Sequence, residues 1–156
     1  MKKASMRPLT NETDVPNGVK MHGESEMYVY VEEETDNDQA KNYEILSETG
    51  TIHNSGFVVI NNIPVSEEGR QGFEERFQNR AGLVEGEPGF QAIRILRPLS
   101  DDTYAIMTIW DDEESFNNWQ TSKSYENAHK NRGTASALPK TVFPRPSFVT
   151  TFKIDK

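Results

Sequence analysis

The 156-residue sequence contains no cysteine. That excludes disulfides, thiolate metal ligation, a cysteine nucleophile and covalent attachment of a cofactor through sulfur. Long apolar runs are also missing, and none approaches the length of a membrane span. The opening Met1-Lys-Lys-Ala-Ser-Met-Arg-Pro8 has basic residues but no hydrophobic stretch after them, so it does not read as a secretory signal. Positive charge is scarce, with 17 Lys and Arg against 25 Asp and Glu for a net charge of -8. Such a balance argues against nucleic acid as the main partner. The expectation from these absences is a cytoplasmic protein with no membrane association.

Apolar residues are present but diluted, at 34% of the chain with a mean hydropathy of -0.76. The acid is concentrated early. Residues 1–55 hold 5 basic and 11 acidic side chains, against 12 and 14 in residues 56–156. The near-neutral remainder leaves room for a local basic pocket. The chain therefore divides, on composition, into an acidic N-terminal extension (1–55) and a main domain (56–156). Residues 1–26 show no periodicity and read as a loosely draped arm. Glu26–Val31 reads as a strand, and Tyr43–Leu46 as a short strand or one helical turn. The extension is thus expected to be partly irregular, with one or two strands.

From residue 56 the signals are stronger. Phe57-Val-Val-Ile-Asn-Asn-Ile63 is a mostly apolar strand ended by Pro64. Ser66 is placed to cap a helix, with Glu67 and Glu68 in its first turn, and that helix is expected to reach about Arg80. Phe73 and Phe77, four apart, would face the sheet. Phe90–Arg97 and Tyr104–Trp110 read as two further strands around the turn at Pro98–Asp102. The acidic run Asp111–Glu114 opens a helical region, and a last strand starts near Ser147. Strand, helix, strand, strand, helix, strand is the order of the ferredoxin-like split βαβ arrangement, an α+β fold. Its helices cover one sheet face. A second subunit is one cover for the other face, and the strands of residues 27–46 are another.

The stretch most suggestive of chemistry is Trp119-Gln-Thr-Ser-Lys-Ser-Tyr-Glu-Asn-Ala-His129. Phe116, Trp119, Tyr125, Ala128 and His129 fall at helical spacing. Two short helices would bring an indole and an imidazole near one sheet edge. A single histidine is too little for a zinc site, but it can hold a haem iron from one side. On residue type alone, a core tryptophan and a surface histidine carry more weight. The Asp111–Glu114 run lacks the alternating ligands and central glycine of a calcium loop. His22 and His53 lie in polar surroundings and receive no role.

Taken together, Phe57-Val-Val-Ile-Asn61, Phe116-Asn-Asn-Trp119 and, ten residues on, Ala128-His129-Lys130 resemble the antibiotic-biosynthesis-monooxygenase (ABM) family. More closely, they resemble its haem-degrading monooxygenases of the iron-regulated-surface-determinant-G type. Glu75-Arg-Phe77 and Pro88-Gly-Phe90 match as well. The second part is similar to the longer subgroup with an N-terminal extension, the HmoB type.

The resemblance implies a dimeric α+β barrel architecture and a triad of Asn61, Trp119 and His129. It implies haem b as both substrate and cofactor, with dioxygen and an external electron donor, either a reductase or a small reductant. In such an enzyme His129 binds the iron axially, Asn61 hydrogen-bonds on the oxygen side, and Trp119 presses the porphyrin out of plane. Phe77 lines the pocket or the core, and Lys130 and Arg132 reach the propionates or solvent. Products would be an open-chain tetrapyrrole and free iron. The extension departs from the short family form and implies either a monomer that imitates the family dimer or a homodimer. Two other activities share the fold: a cofactor-free monooxygenase acting on an aromatic or quinol substrate, which would not need His129, and a non-catalytic haem-binding or stress-signalling protein.

Overall fold

Alternation along the strand Gly56–Pro64 divides its side chains between two cores. Val58 and Ile60 point into one, while Phe57, Val59 and Ile63 point to the other side. A strand apolar on both faces must be covered on both, and the architecture does this with a closed barrel inside and helices outside.

The computed structural model describes residues 2–8, 18–24, 26–33, 40–53, 55–78, 86–99, 101–121 and 143–154. For Phe77 and Gln78 it describes the backbone only. The strands are β1 (Lys3–Pro8), β2 (Gly18–His22), β3 (Met27–Val31), β4 (Lys41–Gly50), β5 (Gly56–Pro64), β6 (Phe90–Pro98), β7 (Thr103–Trp110) and β8 (Phe148–Ile154). Helix α1 (Arg70–Gln78) follows β5, and α2 (Glu113–Gln120) follows β7. The closed order is β1-β3-β2-β8-β5-β7-β6-β4, and every neighbouring pair is antiparallel.

Within that ring, β8-β5-β7-β6 is the ferredoxin-like sheet expected from residue 56 onward. The strands β4-β1-β3-β2 all come from the extension. They occupy the place that a second sheet would take, so the barrel closes within one chain. Where the sequence suggested one or two strands in residues 1–55, four are present. The stretch read as a loose arm contributes two of them. Each places a fully enclosed apolar residue in the barrel, Ala4 from β1 and Met21 from β2. The two seams are unequal. Pairing of β4 with β6 runs from Tyr43↔Pro98 to Gly50↔Ala92, whereas β2 meets β8 only at Met21↔Ile154 and His22↔Lys153.

Small and large residues fill the barrel together: Ala4, Ala92 and Ala105 beside Tyr30, Tyr43, Leu96 and Met107. Arg94 is also turned inward and is 5% exposed. Its guanidinium donates to Glu32 at 3.0 Å and to the carbonyls of Thr49, Gly50 and Ile93. Tyr30 donates to the same Glu32 carboxylate. Burial, with the Glu32 charge beside it, raises the Tyr30 hydroxyl well above the usual phenol range. This network ties β3 and β4 of the extension to β6 of the other half.

Outside the barrel, α1 lies on a core of Ile63, Val65, Phe73, Ile95, Tyr104 and Ile106. Phe73 meets the Tyr104 ring edge-on at 4.8 Å, as its spacing predicted. Ser66 does not cap with its side chain. A single 3-10 turn, Glu67–Gly69, precedes the α-helix, and the Gly69 amide donates to the Ser66 carbonyl instead. The helix is pinned by Glu74, which accepts from Arg97 at 2.6 and 2.9 Å and from the Tyr104 hydroxyl. Burial alone would raise the Glu74 carboxyl. Its hydrogen bonds with Arg97 and Tyr104 and the charges of Arg97 and Arg70 outweigh that, and hold it below the usual carboxylate range.

A carboxyl depressed in the folded state stabilises the fold fully above its unfolded value, near pH 4.3, and that stability is lost as pH falls through the folded value. We therefore expect Glu74→Gln to cost about 2 kcal/mol at neutral pH. The gap between wild type and variant should narrow as pH falls below about 4. Urea unfolding at pH 7 and pH 3 measures both, and an equal gap at the two values would contradict the assignment.

Candidate active site on the helix-covered face

The outer face of β5 and β7 alternates with the barrel face. Phe57, Val59, Asn61 and Ile63 look outward from β5, and Tyr104, Ile106, Thr108 and Trp110 from β7. The register pairs Phe57 with Trp110, Val59 with Thr108 and Asn61 with Ile106. On the other side Asn61 pairs with Val149 of β8, which is 59% exposed.

Helix α2 covers the Phe57–Val59 end of this face. Asp112 caps it, accepting from the Ser115 amide and hydroxyl, both at 2.8 Å. That backbone hydrogen bond, with the hydroxyl, holds the Asp112 carboxyl below its usual range. Gly89, just before β6, has φ +81°, and a Cβ there would collide with the Ser115 side chain. The turn into β6 therefore closes against the first turn of α2 only with glycine at this position. Phe116 and Trp119, three residues apart, share the face turned to the sheet. Trp119 is half-buried, its ring 5.5 Å from Trp110 at 31° and 6.1 Å from Phe116.

Asn61 and Trp119 thus lie on the same face. Trp119 packs on the Phe57, Val59 and Trp110 core, and Asn61 follows Val59 two residues along the strand. The adjacent asparagines differ sharply. Asn62 faces the barrel and is held there by hydrogen bonds to Ile60 O, Phe148 O and Thr150 Oγ1. Among the described residues the half-buried Asn61 amide has no such partner, so it is available to a ligand.

The remaining expected residues are distributed as follows. Phe77 lies in α1. His129, Lys130 and Arg132 lie outside the described residues, as does the second short helix expected around Tyr125–His129. His22 ends β2 opposite Lys153, and His53 is exposed. Trp110 and Thr108, which sequence reasoning left as ordinary strand residues, stand at the centre of this face. Their signal was the alternating Thr-x-Trp at the end of a strand facing a helix that carries the only other tryptophan.

Two open clefts lie elsewhere. One, of about 630 Å³, sits at a barrel mouth lined by Lys2, Tyr30, Glu32, Glu48 and Arg94. The other, of about 660 Å³, lies between His22, Phe57, Lys153 and the acidic turn Asp111–Glu114. Neither includes Asn61 or Trp119. Among the described residues no group of acidic or histidine side chains could hold a metal ion, and no helix is long and apolar enough to cross a membrane.

The chain is similar to several known proteins. Residues 56–131 match the family model "Antibiotic biosynthesis monooxygenase". The chain is 38% identical over 63 residues to a mycobilin-producing heme oxygenase of Mycobacterium tuberculosis. That match covers 40% of this chain and 60% of the relative's length. Among solved structures, a major regulator of staphylococcal pathogenesis superposes with a TM-score of 0.81 at 18% identity, covering 97% of this chain and 98% of its own. A heme-degrader of Mycobacterium tuberculosis, solved with two hemes in its active site, superposes with a TM-score of 0.51 at 29% identity. It covers 63% of this chain and 94% of its own.

The cap makes a local prediction. Asp112→Ala should lower the unfolding temperature, and Asp112→Asn should leave it almost unchanged, because asparagine caps as well as aspartate. Thermal unfolding followed by tryptophan fluorescence measures the difference, since both tryptophans report on the α2 face.

Proposed function

We propose that this antibiotic biosynthesis monooxygenase domain is a haem-degrading monooxygenase. Haem is its substrate and its cofactor, and dioxygen and an external electron donor complete the reaction. The observation that carries the reading is the Asn61 amide, which among the described residues has no hydrogen-bond partner and is half-buried on the same face as Trp119. Both belong to the motif on which the resemblance to the haem-degrading type rests. The 38% identity with a heme oxygenase over 63 residues supports the same reading.

The residues on this face suit a porphyrin. Val59 lies two residues from Asn61 on the same face, the exposed Val149 pairs with Asn61 across the strand, and Trp119 packs on the Val59 cluster of that face. Haem carries two anionic propionates, and carboxylates outnumber cations in both open clefts, which disfavours the propionates there. The outer face is the better match on charge. Bound haem would supply the iron that activates dioxygen and the ring carbon that is oxidised.

The chain's own residues have separable tasks. Asn61 Nδ2 offers an N–H from a rigid central strand towards the oxygen side of the site. Trp119 would set its bulky indole against the bound ring, and macrocycle distortion is one lever a protein has on haem chemistry. His129 would hold the iron through its imidazole, and Phe77 of α1 would line the pocket. Electrons come from a reductase or small reductant, and the products are an open-chain tetrapyrrole and free iron. The barrel is complete without a partner's sheet, which favours a monomer.

Two substitutions separate the roles. His129→Ala should weaken hemin binding by more than about 100-fold. Asn61→Ala should bind hemin as wild type does but turn over about 100-fold more slowly, the usual cost of removing one well-placed donor. Hemin titration and aerobic turnover with ascorbate measure both. Normal degradation by His129→Ala protein would overturn the site assignment.

A further inference from the structure

The outer faces of β8, β5 and β7 line up in rows across the sheet. Val149, Asn61 and Ile106 form one row, and Thr151, Val59 and Thr108 form the next. The helices cover these rows unevenly. Ile106 is 8% exposed in the core beneath Phe73 of α1, and Val59 is 6% exposed in the cluster beneath α2. Val149 is 59% exposed, and Thr151 beside Val59 is exposed too. Among the described residues, then, Asn61 is walled on the β7 side and along its own strand, and is open on the β8 side. Cross-strand neighbours bring their Cβ atoms to about 5 Å. A flat ligand that takes a hydrogen bond from Asn61 therefore lies over β8, with Val149 against it.

Chemistry then orients that ligand. Haem b is asymmetric, with vinyl and methyl groups on one edge and two propionates on the opposite one. Val149 offers only methyl groups. Covering it with an apolar edge is favourable, whereas a propionate there would lose water and gain no partner. The described cations of this part of the chain lie elsewhere. Arg145 is held by Asp102 at 2.6 Å. Lys153, about 14 Å along β8 from Val149, shares a cleft with Asp111–Glu114. We propose that Val149 is a specificity-determining residue of the haem site: it receives the vinyl-bearing edge of the macrocycle beside Asn61 and so turns the propionates away from β8. This inference rests on the haem-degrading reading of the same site.

A binding cycle with two porphyrins tests this. Deuterohemin is hemin with both vinyl groups replaced by hydrogen. Wild-type protein should bind hemin about tenfold more tightly than deuterohemin, and Val149→Ala should shrink that preference to about twofold. Phe148→Ala is the control. Phe148 is 54% exposed, but it pairs with Asn62 and faces the barrel side of the strand, so its truncation should leave the wild-type preference in place. Both side chains lie at the surface, so both variants should fold. Soret titrations read every affinity without turnover. An equal preference in wild type and Val149→Ala would overturn the role of Val149 while leaving the haem reading intact, as would an equal loss of preference in Phe148→Ala. Failure of the wild-type protein to bind hemin would overturn both.

Discussion

Closure of the barrel is the constraint on which the rest depends. A four-stranded sheet with helices on one face leaves the other face apolar and two edges unpaired. Here Val58, Ile60, Leu96, Met107 and Ile109 would stand in water. The four strands of the extension remove that exposure and pair both edges. The buried guanidinium of Arg94, satisfied by Glu32 and three carbonyls, fastens the two halves at one seam. Breaking such a pair would leave an uncompensated buried charge, so this seam is not readily opened. With the inner face settled, the outer face of β5 and β7 carries Asn61, whose amide has no hydrogen-bond partner among the described residues.

The ferredoxin-like half was legible because its residues obey one period at a time. Phe57, Val59 and Ile63 against Val58 and Ile60 mark a strand covered on both sides, and Phe73 marks the helix that covers it. The extension was not legible for opposite reasons. Strands β1 and β2 each commit little to the core beyond Ala4 or Met21, among Lys, Ser, Arg and Gly residues that read as irregular chain. Strand β4 carries Glu44, Ser47, Glu48 and Thr49, and a bulge at Leu46 shifts its alternation midway. These strands are specified by partners far along the chain, and local pattern does not record that. Ser66 shows the converse failure: the residue type suited a cap, but the backbone took a 3-10 turn first.

The site was legible in part. Asn61, Trp119 and His129 were drawn from a resemblance in order and spacing, not from residue chemistry. The contrast between Asn61 and Asn62 needed the strand's orientation, because adjacent residues of a strand face opposite ways and only one could be free. Thr108 and Trp110 needed the packing of α2. The fold by itself does not choose an activity, since a staphylococcal regulator superposes on nearly the whole chain. What distinguishes the haem reading is a free amide and a tilted indole on one apolar face, in a domain whose relatives include heme oxygenases.

The most direct test is a titration of the purified full chain with hemin, followed in absorbance, then ascorbate in air with catalase present. The account predicts a saturable Soret band at one haem per chain that decays once reductant is added, with iron recovered by a chelator. A Soret band that survives reductant, or no Soret band at all, would contradict it.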